Sequence, residues 1–170
     1  CNYSLVGHSE RRKIFHETNE ETNLKLKSLL ENNFNIVLCI GETENERETR
    51  KTEDVLATQL NIGLKDISAE EMQNIIIAYE PVWAIGTGKT ATPEIAQDAH
   101  QFVRNWLSEK YGNQVSYEIS ILYGGSVKVS NIEKLIKQED IDGALIGGAS
   151  LNLDDFKKII EISENNINRQ

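Results

Sequence analysis

Glu80 stands directly after the apolar run Ile75-Ile76-Ile77-Ala78-Tyr79. A carboxylate there is desolvated unless it faces a cleft or a partner. Desolvation disfavours the charged form and makes the group a stronger base; a structural ion pair is the other use of such a residue. His8 follows a second apolar stretch, Tyr3 to Gly7, and precedes Ser9-Glu10-Arg11-Arg12, a polar turn able to open a helix. Its ring can then face backbone N–H groups, which disfavour the imidazolium. A purely structural histidine is the alternative.

The segment after Glu80, Pro81-Val82-Trp83-Ala84-Ile85-Gly86-Thr87-Gly88-Lys89-Thr90-Ala91, has a rigid start, an apolar middle and later glycines. It reads as a lid that closes over a reacting centre and excludes water, with a loop packed permanently on the core as the alternative. Gly86-Thr87-Gly88-Lys89-Thr90 imitates a nucleotide-binding loop, but the glycine required five residues before Gly88 is replaced by Trp83, so that reading fails. Gly125-Ser126 and Gly147-Gly148 each follow a short apolar run near the end of the chain. Either pair alone makes a tight turn. Two pairs in consecutive loops, with Gly86 on the lid, converge on one anion held by backbone N–H groups.

Other chemistries are poorly supported. His16-Glu17 has no second histidine at zinc-protease spacing, Cys1 and Cys39 lack ligand or disulfide-framework spacing, and no serine sits in a nucleophile elbow. No metal and no cofactor are expected. The net charge of -9 repels nucleic acid and acidic membranes on average, and no apolar run approaches the roughly 18 residues of a membrane span. Cys39 in an apolar run reads as a buried reduced thiol, which favours the cytoplasm.

The elements that must position these residues alternate along the chain. Tyr3 to Gly7, Ile36 to Ile40, Ile75 to Tyr79, Ile121 to Tyr123 and Ala144 to Ile146 are expected as buried parallel strands. Helix starts are marked by the Ser68/Glu71 pair, Thr92-Pro93, the Ser130/Glu133 pair and Asn152 with Asp154 and Asp155. Leu24, Leu26, Leu29 and Leu30 form one expected core stripe, and Val55, Leu56 and Leu60 another. The charged stretch Glu42 to Asp54 reads as a solvated helix start. No linker or repeat interrupts the rhythm, so residues 1–170 are expected to form a single α/β domain. The chain opens at once on a strand without an initiator methionine, as a piece of something longer would.

Ala78-Tyr79-Glu80-Pro81-Val82-Trp83-Ala84-Ile85-Gly86-Thr87-Gly88 is the most specific string in the chain. With Gly7-His8-Ser9-Glu10-Arg11-Arg12, Cys39-Ile40-Gly41-Glu42, Tyr123-Gly124-Gly125-Ser126-Val127 and Gly147-Gly148-Ala149-Ser150-Leu151, it resembles the triosephosphate isomerase family over essentially the whole length. The resemblance implies a closed barrel of eight βα units, of which about five are present here, starting at what resembles the fourth strand. It implies interconversion of dihydroxyacetone phosphate and glyceraldehyde 3-phosphate through an enediolate, with Glu80 as base and His8 as electrophile. Gly86, Ser126, Gly147 and Gly148 would hold the phosphate, and Glu10 would lie at the edge of the site. The family's active-site Asn and Lys are absent from this chain, as is the interface loop of its usual homodimer. A non-catalytic phosphate-binding or assembly fragment is therefore the alternative.

Overall fold

The structure, a computed structural model, describes residues 1–86 and 89–167. Five parallel strands, β1 (Tyr3–Val6), β2 (Asn35–Ile40), β3 (Ile75–Tyr79), β4 (Ile121–Tyr123) and β5 (Gly143–Ala144), form one sheet in chain order. Strands of a parallel sheet in register present neighbouring side chains on the same face. The row Val6, Leu38, Ile77 and Ile121 is buried against helices, at 3, 0, 0 and 0% exposure. Those helices are chiefly α2 (Asn19–Glu31), α4 (Thr52–Gly63) and α5 (Pro93–Tyr111), which contribute Leu26, Leu56, Leu60, Val103 and Leu107 to the same core. Each such side chain contributes about 1.5–3 kcal/mol by leaving water. The next row, Leu5, Val37 and Ile76, turns to the opposite face, where Leu5 is exposed and the other two are half-buried. This is the face a closed barrel would enclose, and the architecture is that of an α/β part-barrel.

Local chemistry sets the remaining boundaries. Thr92 caps α5 with Pro93 at its first position, and Asn152 Oδ1 receives the Asp155 N–H at 3.1 Å at the start of α8 (Leu153–Ile167). The Ser68/Glu71 pair makes both of its expected bonds, yet it opens only a four-residue 3-10 turn, Glu71–Asn74, because β3 begins at Ile75. Ser130 and Glu133 do not cap α7 (Ile132–Ile136). Asn131 occupies the cap position and bonds backward instead, receiving the Lys128 N–H and donating to Ser126 O, both at 2.8 Å. Leu24 is 66% exposed while Leu26 is fully buried, so the expected stripe on α2 is narrower than four leucines. The last strand ends at Ala144 rather than Ile146, although Leu145 N still donates to Tyr123 O at 2.9 Å.

One buried group lies beneath the strand ends. The His100 ring on α5 sits near Tyr79 and Tyr123, with centroids 5.7 and 6.4 Å away, and its Nδ1 is 3.2 Å from Asp140 O. Burial pushes its pKa down to about 3.

Candidate active site

The pairing of β3 with its neighbours continues one residue past the strand, with Glu80 N donating to Ile40 O and Gly124 N to Tyr79 O, both at 2.7 Å. Glu80 is thereby fixed at the carboxyl end of the central strand, 2% exposed. Its Oε1 lies 3.2 Å from His8 Nε2, and its Oε2 receives the Ser9 N–H at 3.0 Å. His8 is the N-cap of α1 (Ser9–Phe15), and its Nδ1 accepts the Glu10 N–H at 3.3 Å. That bond assigns the ring proton to Nε2, so the imidazole meets Glu80 as a donor. Burial pushes the Glu80 carboxyl up, against the opposing pull of His8, the Ser9 N–H, Cys39 and Arg12. The sequence therefore brings together its two reactive candidates, and in the sense that makes a stronger base. Glu10 contributes its backbone to His8, while its own side chain is exposed.

Residues without reactive side chains hold this pair. A β-carbon on Gly41 would sit 1.8 Å from the Glu80 carbonyl oxygen, and one on Gly124 would sit 2.8 Å from Glu80 Cγ. Glycine at both positions is what lets the neighbouring chains close on the carboxylate. Arg12 ties the ends of β1 and β2 together, donating to Gly7 O at 2.7 Å and Cys39 O at 3.3 Å, and is itself held by Asn19 at 2.6 Å. Glu17, also buried, receives the Gly7 N–H at 3.2 Å and pairs with Arg11 and Lys25.

The charged stretch after β2 is not uniformly solvated. Glu42 is 0% exposed and receives the Tyr79 hydroxyl at 3.0 Å and Trp83 Nε1 at 2.9 Å. Arg47 lies 3.6 Å from the same carboxylate and covers the Trp83 ring at 4.6 Å. The first part of the lid, Pro81 to Ala84, is thus anchored, and Trp83 is half-buried rather than exposed. Ile85 and Gly86 reach outward, Gly86 with φ of 68°, a value that favours glycine. Lys89 pairs with Glu44 beyond the tip. Thr87 and Gly88, assigned by the sequence to the same lid, lie outside the described residues. The position of Glu42 just after a buried strand is the signal that marks Glu80; the surrounding charges obscured it.

His8, Glu80, Gly86, Ser126, Gly147 and Gly148 line one cavity of about 650 Å³. The N–H groups of Gly86, Ser126, Gly147 and Gly148 donate to no other described residue. A β-carbon on Gly86, Gly147 or Gly148 would meet nothing within 4 Å. Gly148 opens a short 3-10 turn, Gly148–Leu151, and the free donors around it suit a ligand with several acceptor oxygens.

Residues 1–163 match the family model described as triosephosphate isomerase. A protein of Chloroherpeton thalassium named triosephosphate isomerase is 52% identical over 96% of this chain and 65% of its own length. Relatives of the same name from Fusobacterium nucleatum and Entamoeba histolytica are 53 and 51% identical, over 94 and 93% of this chain and 63 and 60% of their own lengths. The chain thus spans 60–65% of the length of these relatives.

Proposed function

The chain belongs to the triosephosphate isomerase family, and from that premise we propose that it carries the base, the electrophile and the phosphate grip of that isomerase. The reaction interconverts dihydroxyacetone phosphate and glyceraldehyde 3-phosphate. The observation that carries the reading is the Glu80–His8 pair, 3.2 Å apart, in the same cavity as the N–H groups of Ser126, Gly147 and Gly148, which donate to no other described residue.

The Glu80–His8 geometry supports this course of reaction. Substrate enters with its phosphate on the N–H donors and its carbonyl oxygen at His8 Nε2, displacing the imidazole from Glu80. Glu80 takes a proton from the carbon beside the carbonyl, and His8 stabilises the negative charge that develops on oxygen. His8 then moves protons between the two oxygens of the enediolate, and Glu80 returns its proton to the neighbouring carbon. Closure of the lid through Gly86 keeps water out and holds the phosphoryl group against elimination. The reading includes work in the cytoplasm, supported by the free buried Cys39, and a homodimeric whole protein. Among the described residues no helix is long and apolar enough to cross a membrane. The alternative of a non-catalytic fragment is not favoured, since the relatives carry the name of the isomerase itself.

The test is a coupled assay with glyceraldehyde 3-phosphate, run on the chain supplemented in trans with the portion of the Chloroherpeton thalassium relative that it does not span. Turnover is expected in the associated wild type, with a loss of roughly 10²–10⁴-fold in Glu80→Gln. An associated, folded complex that shows no turnover, or retains it in Glu80→Gln, overturns the assignment.

A further inference from the structure

The cradle described above is built from backbone N–H groups, which are dipoles without net charge. A phosphate monoester arrives as a dianion at a chain of net charge -9. The cavity lining already holds two acidic side chains, Glu80 and, on the rim at the first turn of α8, Asp155. Among the described residues, Lys128 is the one lining side chain with a fixed positive charge.

Lys128 lies two residues after Ser126, and the side chain of Asn131 fixes the turn between them. Asn131 Oδ1 receives the Lys128 N–H while Asn131 Nδ2 donates to Ser126 O, both at 2.8 Å. The backbone that carries the Lys128 side chain and the backbone of Ser126 are therefore held in one unit. Neither Lys128 nor Asp155 takes part in an ion pair among the described residues. Among the described residues, no carboxylate that an incoming phosphate must displace holds the ammonium.

We propose that Lys128 is the anion-recruiting residue of this cavity, drawing the phosphoryl group of the substrate to the donors of Ser126, Gly147 and Gly148, with Asp155 on the rim acting against it. The proposal rests on the phosphate-binding part of the functional reading. It adds a charge-dependent determinant of affinity on an exposed side chain, where the interaction is sensitive to salt.

The experiment is calorimetric titration of the 170-residue chain with inorganic phosphate, at about 20 mM and about 500 mM sodium chloride. Circular dichroism verifies that each variant is folded. Lys128→Gln is expected to weaken binding about five- to tenfold at low salt, with the difference shrinking at high salt. Lys128→Arg restores affinity, and Asp155→Asn tightens it two- to threefold, about the effect of removing one solvent-exposed like charge. A merely structural role for Lys128 does not produce these opposite signs or the salt dependence. If the wild type binds phosphate and Gly148→Val abolishes that binding while Lys128→Gln leaves it unchanged, the proposal falls and the cradle stands. If the folded wild type binds no phosphate, the cradle reading fails and this proposal fails with it.

Discussion

At Glu80 the protein itself supplies the contacts, among them the Ser9 N–H, the His8 ring, and two neighbouring chains so close that only glycine fits at 41 and 124. At Gly147 and Gly148 it supplies donors and empty space, and an added β-carbon meets nothing within 4 Å. In the proposed function the base is thus positioned before any ligand arrives, whereas the phosphate end is completed by the ligand. This division suits catalysis, because the reacting carboxylate must be held in a fixed geometry. Anion recognition tolerates an open site of convergent donors and room.

Substitution at the two kinds of glycine gives the widest separation. Gly41→Ala is expected to lower unfolding free energy in urea by at least about 3 kcal/mol, or to prevent folding, because backbone must move. Gly148→Ala should stay within about 0.5 kcal/mol; similar losses at both sites would erase the contrast. A second effect, read as a slope per pH unit, is the pH dependence carried by His100 beneath the strand ends. Its lowered pKa means stability that is present above the ordinary value of 6.5 and lost as pH falls toward about 3. The wild type should lose about 1.4 kcal/mol per pH unit more than His100→Phe across that interval. Equal slopes would show that the imidazole is not held neutral. The raised pKa of Glu80 acts in the reverse direction: its contribution is full below the unfolded value of 4.5 and is lost as pH rises through the folded value. Urea midpoints of Glu80→Gln should therefore gain on the wild type as pH rises above 4.5. A constant gap would mean that Glu80 ionises in the fold as it does in water.

Most of the framework was legible because β-branched runs between polar segments leave few alternatives to buried parallel strands. Glu80 and His8 stood out for the same reason, as polar residues at the ends of such runs. Glu42 stood at an equivalent place, but the charges that follow it through Asp54 masked its burial. The demand for glycine at 41 and 124 is a distance between chains 39 and 44 residues from Glu80 in sequence, and no local pattern encodes it. At Asn131, two neighbouring polar residues could each cap α7, and the bond to Ser126 O is a tertiary contact that propensity does not contain. Leu24 fits a helical stripe on α2, yet lies outside the arc that the sheet covers.

Cys39 gives the molecule a built-in clock. Its thiol is fully buried at the end of β2, and burial first, then the Glu80 carboxylate, pushes its pKa up, so little thiolate exists while the strands remain closed. Cys1 is exposed on the same chain. Under an alkylating reagent the two should modify at very different rates, Cys1 reporting the intrinsic chemistry and Cys39 the frequency with which the seam behind Glu80 comes apart.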